Sequence, residues 1–181
     1  MGAAYTGLGR LDDPRAIPEP LALRDHPEAA VRVGVISGLG RHLDPQVQPA
    51  VLDALIALTA DPADEVRDWA TFALGQHAEI DYPVVRAALH ARLDDSYGEA
   101  RHEAITGLAK RGDLSVIPIL IRELHRGVAP GLLDAAVALA TPDLCDALER
   151  FTIALQSRSS LSLCFAAFSS TNRHPLRRKM L

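Results

Sequence analysis

Three arginines, Arg32, Arg67 and Arg101, stand 35 and then 34 positions apart, each directly behind Val31, Val66 or Ala100 and shortly after an acidic residue, Glu28, Glu65 or Glu99. A recurrence of this length constrains a fold more than any single segment, because periods of 20–50 residues belong to stacked supersecondary units. Three further markers keep the same period. The small-residue triplets Gly38-Leu39-Gly40, Ala73-Leu74-Gly75 and Gly107-Leu108-Ala109 follow the arginines, and Gly7-Leu8-Gly9 precedes the first of them by 31 positions. Pro18, Pro49, Pro83 and Pro118 are spaced by 31, 34 and 35 positions, each beside the start of an apolar-periodic run. Proline is tolerated there because the first-turn N–H groups of a helix lack intrahelical partners. Turn and N-cap chemistry recurs between the runs in Asp12-Asp13-Pro14, Asp25-His26-Pro27, Asp61-Pro62 and Asp94-Asp95-Ser96.

The runs are helical. Leu52, Leu55, Ile56 and Leu58 fall on one helix face, Val85, Ala88, Leu89 and Leu93 on the next, and Ile117, Leu120, Ile121 and Leu124 on a third. Aromatic residues make up only 4% of the chain, a balance that suits helix-on-helix packing better than strands. One helix pair cannot bury its own apolar face, so successive pairs must stack. The expected architecture is all-α, an α-α superhelix of about four and a half helix pairs. It pairs 28–41 with 45–59, 64–77 with 81–93, 98–111 with 114–126, and 130–141 with 143–156. Residues 3–9 and 14–23 read as the remains of an earlier pair. The solenoid is expected to span residues 1–156 with its first repeat truncated, followed by a basic, Ser-rich, disordered tail at 157–181.

These units resemble HEAT repeats, particularly the short bacterial kind also called phycobilisome-lyase-like repeats, over about residues 7 to 156. The stretch from Asp64 to Gly75, DEVRDWATFALG, with Glu99 to Leu108 and Lys110-Arg111-Gly112-Asp113, is most similar to small bacterial HEAT proteins encoded beside Rhs-type contact toxins. That resemblance implies a toxin-neutralising binding partner, an immunity protein. It also implies that Arg32, Arg67 and Arg101 form a structural ladder, each bonded to an acidic residue of an adjacent unit. Planar guanidinium geometry suits the task better than an ammonium. The fourth unit has Leu132-Leu133-Asp134 where the next arginine would fall, so the ladder is expected to stop there. Fold analogy supplies two enzymatic alternatives, a bilin lyase and a HEAT-type DNA glycosylase.

Catalytic and metal-binding motifs are not evident. His102-Glu103 lacks the second histidine of H-E-x-x-H, no dinucleotide or Walker-type loop is present, and the seven histidines show no ligand spacing. No enzyme activity, cofactor or metal site is expected. The contact set expected for a partner protein is Asp68 with Trp69, the sole tryptophan, together with Arg86, His90, Arg92, Arg122 and His125 on the second helices, placed there because second helices of HEAT pairs are taken to line the concave surface. Residues 1–156 carry 14 Lys and Arg against 23 Asp and Glu, whereas residues 157–181 carry five basic and no acidic side chains. An acidic rod repels nucleic acid and attracts basic proteins. The partner is therefore expected to be a protein, and a basic one, with no nucleic acid and no membrane, and self-association is expected through an uncapped C-terminal edge. Met1-Gly2 opens a myristoylation-like pattern, but one acyl chain with no basic cluster anchors weakly. Cys145 and Cys164 form no disulfide framework, and no apolar run is long enough to span a bilayer, so the expected location is the cytoplasm.

Overall fold

The computed structural model of the chain describes residue 15 and residues 17–43, 49–77, 79–127, 129–141 and 144–145. Eight α-helices are described: α1 (Pro18–Ala22), α2 (Ala29–Leu39), α3 (Pro49–Leu58), α4 (Asp64–Gln76), α5 (Pro83–His90), α6 (Gly98–Lys110), α7 (Ile117–Arg126) and α8 (Pro130–Leu139). Short 3₁₀ turns at Gly40–His42 and Leu114–Val116 extend α2 and lead into α7. No strand occurs among the described residues. The expected helices at 3–9 and, apart from Leu144 and Cys145, at 143–156 lie outside the described residues, as do the start of the expected 45–59 helix and the tail at 157–181.

The proline markers fall where helix geometry tolerates them: Pro18, Pro49 and Pro83 open α1, α3 and α5, and Pro118 is the second residue of α7. Asp64 and Glu65 occupy the first turn of α4, where carboxylates complement the helix dipole. Gly112 follows α6 at φ 68, a left-handed conformation that a glycine adopts without a Cβ penalty.

Even-numbered helices stack in succession, α4 lying against α2 on one side and α6 on the other, and α6 against α8. Odd-numbered helices α3, α5 and α7 rest on the even layer rather than on one another. The reason is side-chain size. A Cβ at Gly107 would lie 2.8 Å from the Gly75 Cα, so α4 and α6 approach at a distance that only glycine permits. The even helices form this closely packed layer, called the inner layer, and the odd helices form the outer one.

Between the layers runs a continuous apolar core, with Val35, Leu39, Leu55, Leu74, Leu89, Ile105, Leu108, Leu120 and Leu132 excluded from solvent. Each of these fully buried aliphatic side chains contributes about 1.5–3 kcal/mol relative to an exposed position.

Candidate protein-binding face

The three repeat arginines tie the units together at one rim. Arg32 donates from Nε and Nη2 to the two oxygens of Asp61, both at 2.7 Å, and Arg67 does the same to Asp95 at 2.8 and 2.9 Å. Both aspartates also accept a backbone N–H two residues ahead, from Ala63 (2.8 Å) and Tyr97 (2.9 Å). The hydrogen bonds from Arg67 outweigh the cost of burial and lower the Asp95 carboxyl to about 2. Arg101 reaches Glu123 on α7 instead, at 3.5 Å. Burial alone would raise the Glu123 carboxyl, but the charges of Arg101 and Arg126 prevail and hold it below the usual range.

Five of the expected contact residues stand on or beside the outer helices, and most are engaged within the fold. Arg86 donates to both oxygens of Asp81 at 2.6 and 2.7 Å, and to the Arg111 carbonyl at 2.8 Å. His90 Nε2 lies 2.9 Å from Asp113 Oδ2 in the next unit, and Arg86 approaches the same oxygen at 3.4 Å. Arg92 donates to Asp95 at 3.0 Å and so joins the second rung of the ladder. Arg122 is exposed near Glu123 and Asp94, and His125 is exposed on α7.

Asp68 and Trp69 are placed differently. They lie on α4, in the narrow strip that the inner layer leaves uncovered, with Glu65, Phe72 and Gln76 following the same helical face. Trp69 and Phe72 are 42% and 38% exposed, and their rings meet edge to face with centroids 5.8 Å apart. That arrangement is favoured by the aromatic quadrupole. On α6, Glu99 is exposed while His102 and Glu103 are partly covered, and Lys110 closes the far end by donating to Gln76 at 2.7 Å.

Carboxylates crowd this strip. Partial burial raises the Asp68 carboxyl above its usual range, and the negative charges of Glu99 and Glu65 raise it further. Burial, then the charge of Asp68, raises Glu103. Tyr97 feels the same field, its phenol raised first by Glu99 and then by burial and by Asp68, Asp64 and Glu65. The strip is thus a set of mutually repelling acids beside two exposed aromatic rings. Among the described residues, no group of His, Cys, Asp and Glu is arranged to hold a metal ion, and no helix is long and apolar enough to cross a membrane.

Sequence spacing did not expose Arg111 as a structural centre. Its side chain is fully buried, and it donates to the carbonyls of Leu74 (2.8 Å), His77 (2.7 Å), Ile80 (3.1 Å) and Gly107 (2.7 Å). One guanidinium therefore terminates α4 and fixes the turn into α5. An arginine directly before the helix-ending Gly112 was the available signal.

With this geometry, the chain matches the family described as HEAT repeats over residues 2–75 and 52–141. The chain belongs to the HEAT-repeat family. Protein YibA of Escherichia coli K12 and its counterpart in strain O157:H7 are each 35% identical to this HEAT-repeat chain over 101 residues. Those alignments cover 55% of this chain and 36% of the relatives, so the matched region is little more than a third of their length. The X-ray structure of E. coli YibA superposes with a TM-score of 0.62 at 22% identity, covering 94% of this chain and 74% of that one. A designed armadillo repeat protein in complex with the peptide (KR)4 gives 0.63 at 15% identity, covering 93% and 91%. A second designed armadillo protein gives 0.60 at 15% identity, covering 94% and 93%. The fold is that of a helical repeat solenoid.

Proposed function

We propose that this HEAT-repeat chain is a protein-binding scaffold whose inner strip, Glu65, Asp68, Trp69 and Phe72 on α4 with Glu99 and Glu103 on α6, receives a Lys- and Arg-rich segment of its partner. The observation that carries this reading is the pairing of exposed rings with neighbouring carboxylates of like charge. A guanidinium or ammonium laid over Trp69 gains cation–π attraction, and the adjacent acids supply charge-assisted hydrogen bonds. Burial raises Asp68 and Glu103 first, and cationic ligands would relieve the carboxylate repulsion that raises them further. A solved solenoid of similar fold carries a peptide of alternating Lys and Arg, in line with this ligand chemistry.

A basic toxin domain is a partner of this chemistry, and the resemblance to proteins encoded beside Rhs-type toxins makes neutralisation of such a domain our specific proposal. A DNA glycosylase would need a basic surface to replace counterions along phosphates. The inner strip carries the opposite charge.

Trp69 is the sole tryptophan, so its emission reports on the strip directly. Titrating the full chain with a peptide of alternating Lys and Arg is expected to change that emission saturably, with affinity falling as salt rises. Joint Asp68→Asn and Glu103→Gln replacement is expected to weaken binding at least about tenfold, the equivalent of one lost charge-assisted contact. Equal binding of a Glu- and Asp-rich peptide, or unchanged affinity in the double variant, would sink the proposal.

A further inference from the structure

Arg101 is seated in its unit as Arg32 and Arg67 are in theirs. In each case Nη1 donates to two carbonyls of the preceding turn: His26 and Pro27 for Arg32, Asp61 and Pro62 for Arg67, Asp95 (2.6 Å) and Ser96 (3.2 Å) for Arg101. The opposite edge of the guanidinium, Nε with Nη2, then faces the start of the next turn. In the first two rungs an aspartate waits there, held additionally by the N–H of the residue that immediately precedes the next helix.

The third rung keeps the frame and changes the residue. Gly127 occupies the position of Asp61 and Asp95, two residues before Ala129, which precedes α8 with the same extended backbone as Ala63 before α4 and Tyr97 before α6. Among the described residues, Arg101 Nε is buried with no hydrogen-bond partner, and the one carboxylate contact of Nη2 is that to Glu123 at 3.5 Å. Glu123 cannot complete the rung, because its other oxygen is taken by Arg126 at 2.7 Å and Arg122 at 3.4 Å. One carboxylate is left among three guanidinium groups. A cavity of about 350 Å³ opens at this edge, lined by Arg101, His102, Glu123, Arg126, Gly127 and Ala129.

We infer that this cavity is a receptor for a carboxylate brought by a binding partner, which docks on Nε and Nη2 of Arg101 as Asp61 docks on Arg32 and Asp95 on Arg67. The two complete rungs specify a planar ligand with two oxygens, the geometry that a guanidinium edge matches with two parallel hydrogen bonds. Three arginines around one internal acid supply the positive charge that draws the ligand in, and Ala129 shares the position before its helix and the extended backbone of Ala63 and Tyr97, whose N–H groups donate to their aspartates. The ligand is either an Asp or Glu side chain or the terminal carboxylate of a polypeptide. The cavity uses the α7–α8 turn rather than the acidic strip, so neither site depends on the other.

The test is a titration of the ¹⁵N-labelled full chain with sodium acetate at constant ionic strength, following the Arg101 Nε–Hε resonance, assigned by its loss in Arg101→Lys. A saturable shift is expected. Gly127→Asp closes the rung from within: Gly127 has extended backbone (φ 173) and nothing within 4 Å of an added Cβ, so the substitution is accommodated. In that variant the acetate-dependent shift is expected to vanish. A flat acetate titration, an undiminished shift in Gly127→Asp, or a response to inorganic phosphate in preference to acetate would each overturn the assignment. Two short peptides separate the sources of the carboxylate: one with an Asp and an amidated terminus, the other with a free terminus and no acidic side chain.

Discussion

The guanidinium of Arg67 closes on the carboxylate of Asp95, one repeat further along, through two near-parallel hydrogen bonds of 2.8 and 2.9 Å, with both side chains almost wholly withdrawn from solvent. Asp95 is lowered from the ordinary 3.8 to about 2 in the folded chain. A depressed carboxyl adds stability that is fully present above its unfolded value and is lost as pH falls through the folded one. The contribution, about 2 kcal/mol by linkage, is therefore expected at pH 5 and above and to disappear between about pH 4 and pH 2. Urea unfolding of the parent chain and of Asp95→Asn across that range checks it. The two stabilities are expected to converge at the acid end.

Gly107→Ala tests the close approach of α4 and α6. The added Cβ would meet the Gly75 Cα at 2.8 Å, and backbone cannot move aside as a flexible side chain can. Although alanine is the better helix former, the crowding is expected to prevail and to cost about 1–3 kcal/mol. A thermal midpoint that rises instead would show that the two helices are free to separate.

Arg111→Met keeps most of the buried length and removes every donor, leaving the carbonyls of Leu74, His77 and Ile80 without this partner. A loss of about 3 kcal/mol is expected from unpaired buried acceptors. Arg111→Lys is expected to recover only part of it, since one ammonium cannot span carbonyls arranged around a planar fork. Chemical denaturation of the two variants checks both statements.

Asp68→Asn is expected to act in opposite directions on folding and on binding. The Asp68 carboxyl is raised first by burial and then by Glu99 and Glu65, so ionisation of this acid costs stability as pH rises through its folded value. Removing the charge is expected to stabilise the chain at neutral pH by a few tenths of a kcal/mol, the scale of an exposed like-charge contact. The advantage is expected to fade below pH 4, while affinity for a basic peptide falls. Paired unfolding and titration curves measure the trade.

The period and the helix starts were legible because each depends on local chemistry repeated along the chain, whereas the ladder role of the rim arginines was implied by the HEAT resemblance. Pro49 and Pro83 open helices for a reason internal to one turn, and Asp61 and Asp95 combine turn formation with binding of an arginine 29 and 28 positions earlier. The close approach of α4 and α6 was not legible in the same way. It rests on Gly75 meeting Gly107, two residues 32 positions apart whose separation in space depends on the packing of both helices. Arg86 and His90 looked like contact residues, although their partners, Asp81 and Asp113, occupy them within the fold. Likewise Asp68 was singled out beside Trp69, but Glu103, on the neighbouring helix, could join it only once the even layer was assembled. The exceptional third rung had a readable signal, since aligning the turns sets Gly127 against Asp61 and Asp95.

The glycine contact in the inner layer has a metric consequence. Helices brought together over small residues run at the short end of the usual 8–10 Å spacing. Every second side chain of an extended polypeptide recurs at about 6.8 Å. A strand laid across the inner surface thus advances by slightly less than one helix for each pair of its residues, so an alternating sequence could keep step with the repeats for only a few units before slipping out of phase. Widening the gap by even one methyl group at Gly107 would shorten that run, making the smallest side chain in the layer the one that sets how long a ligand the surface can read.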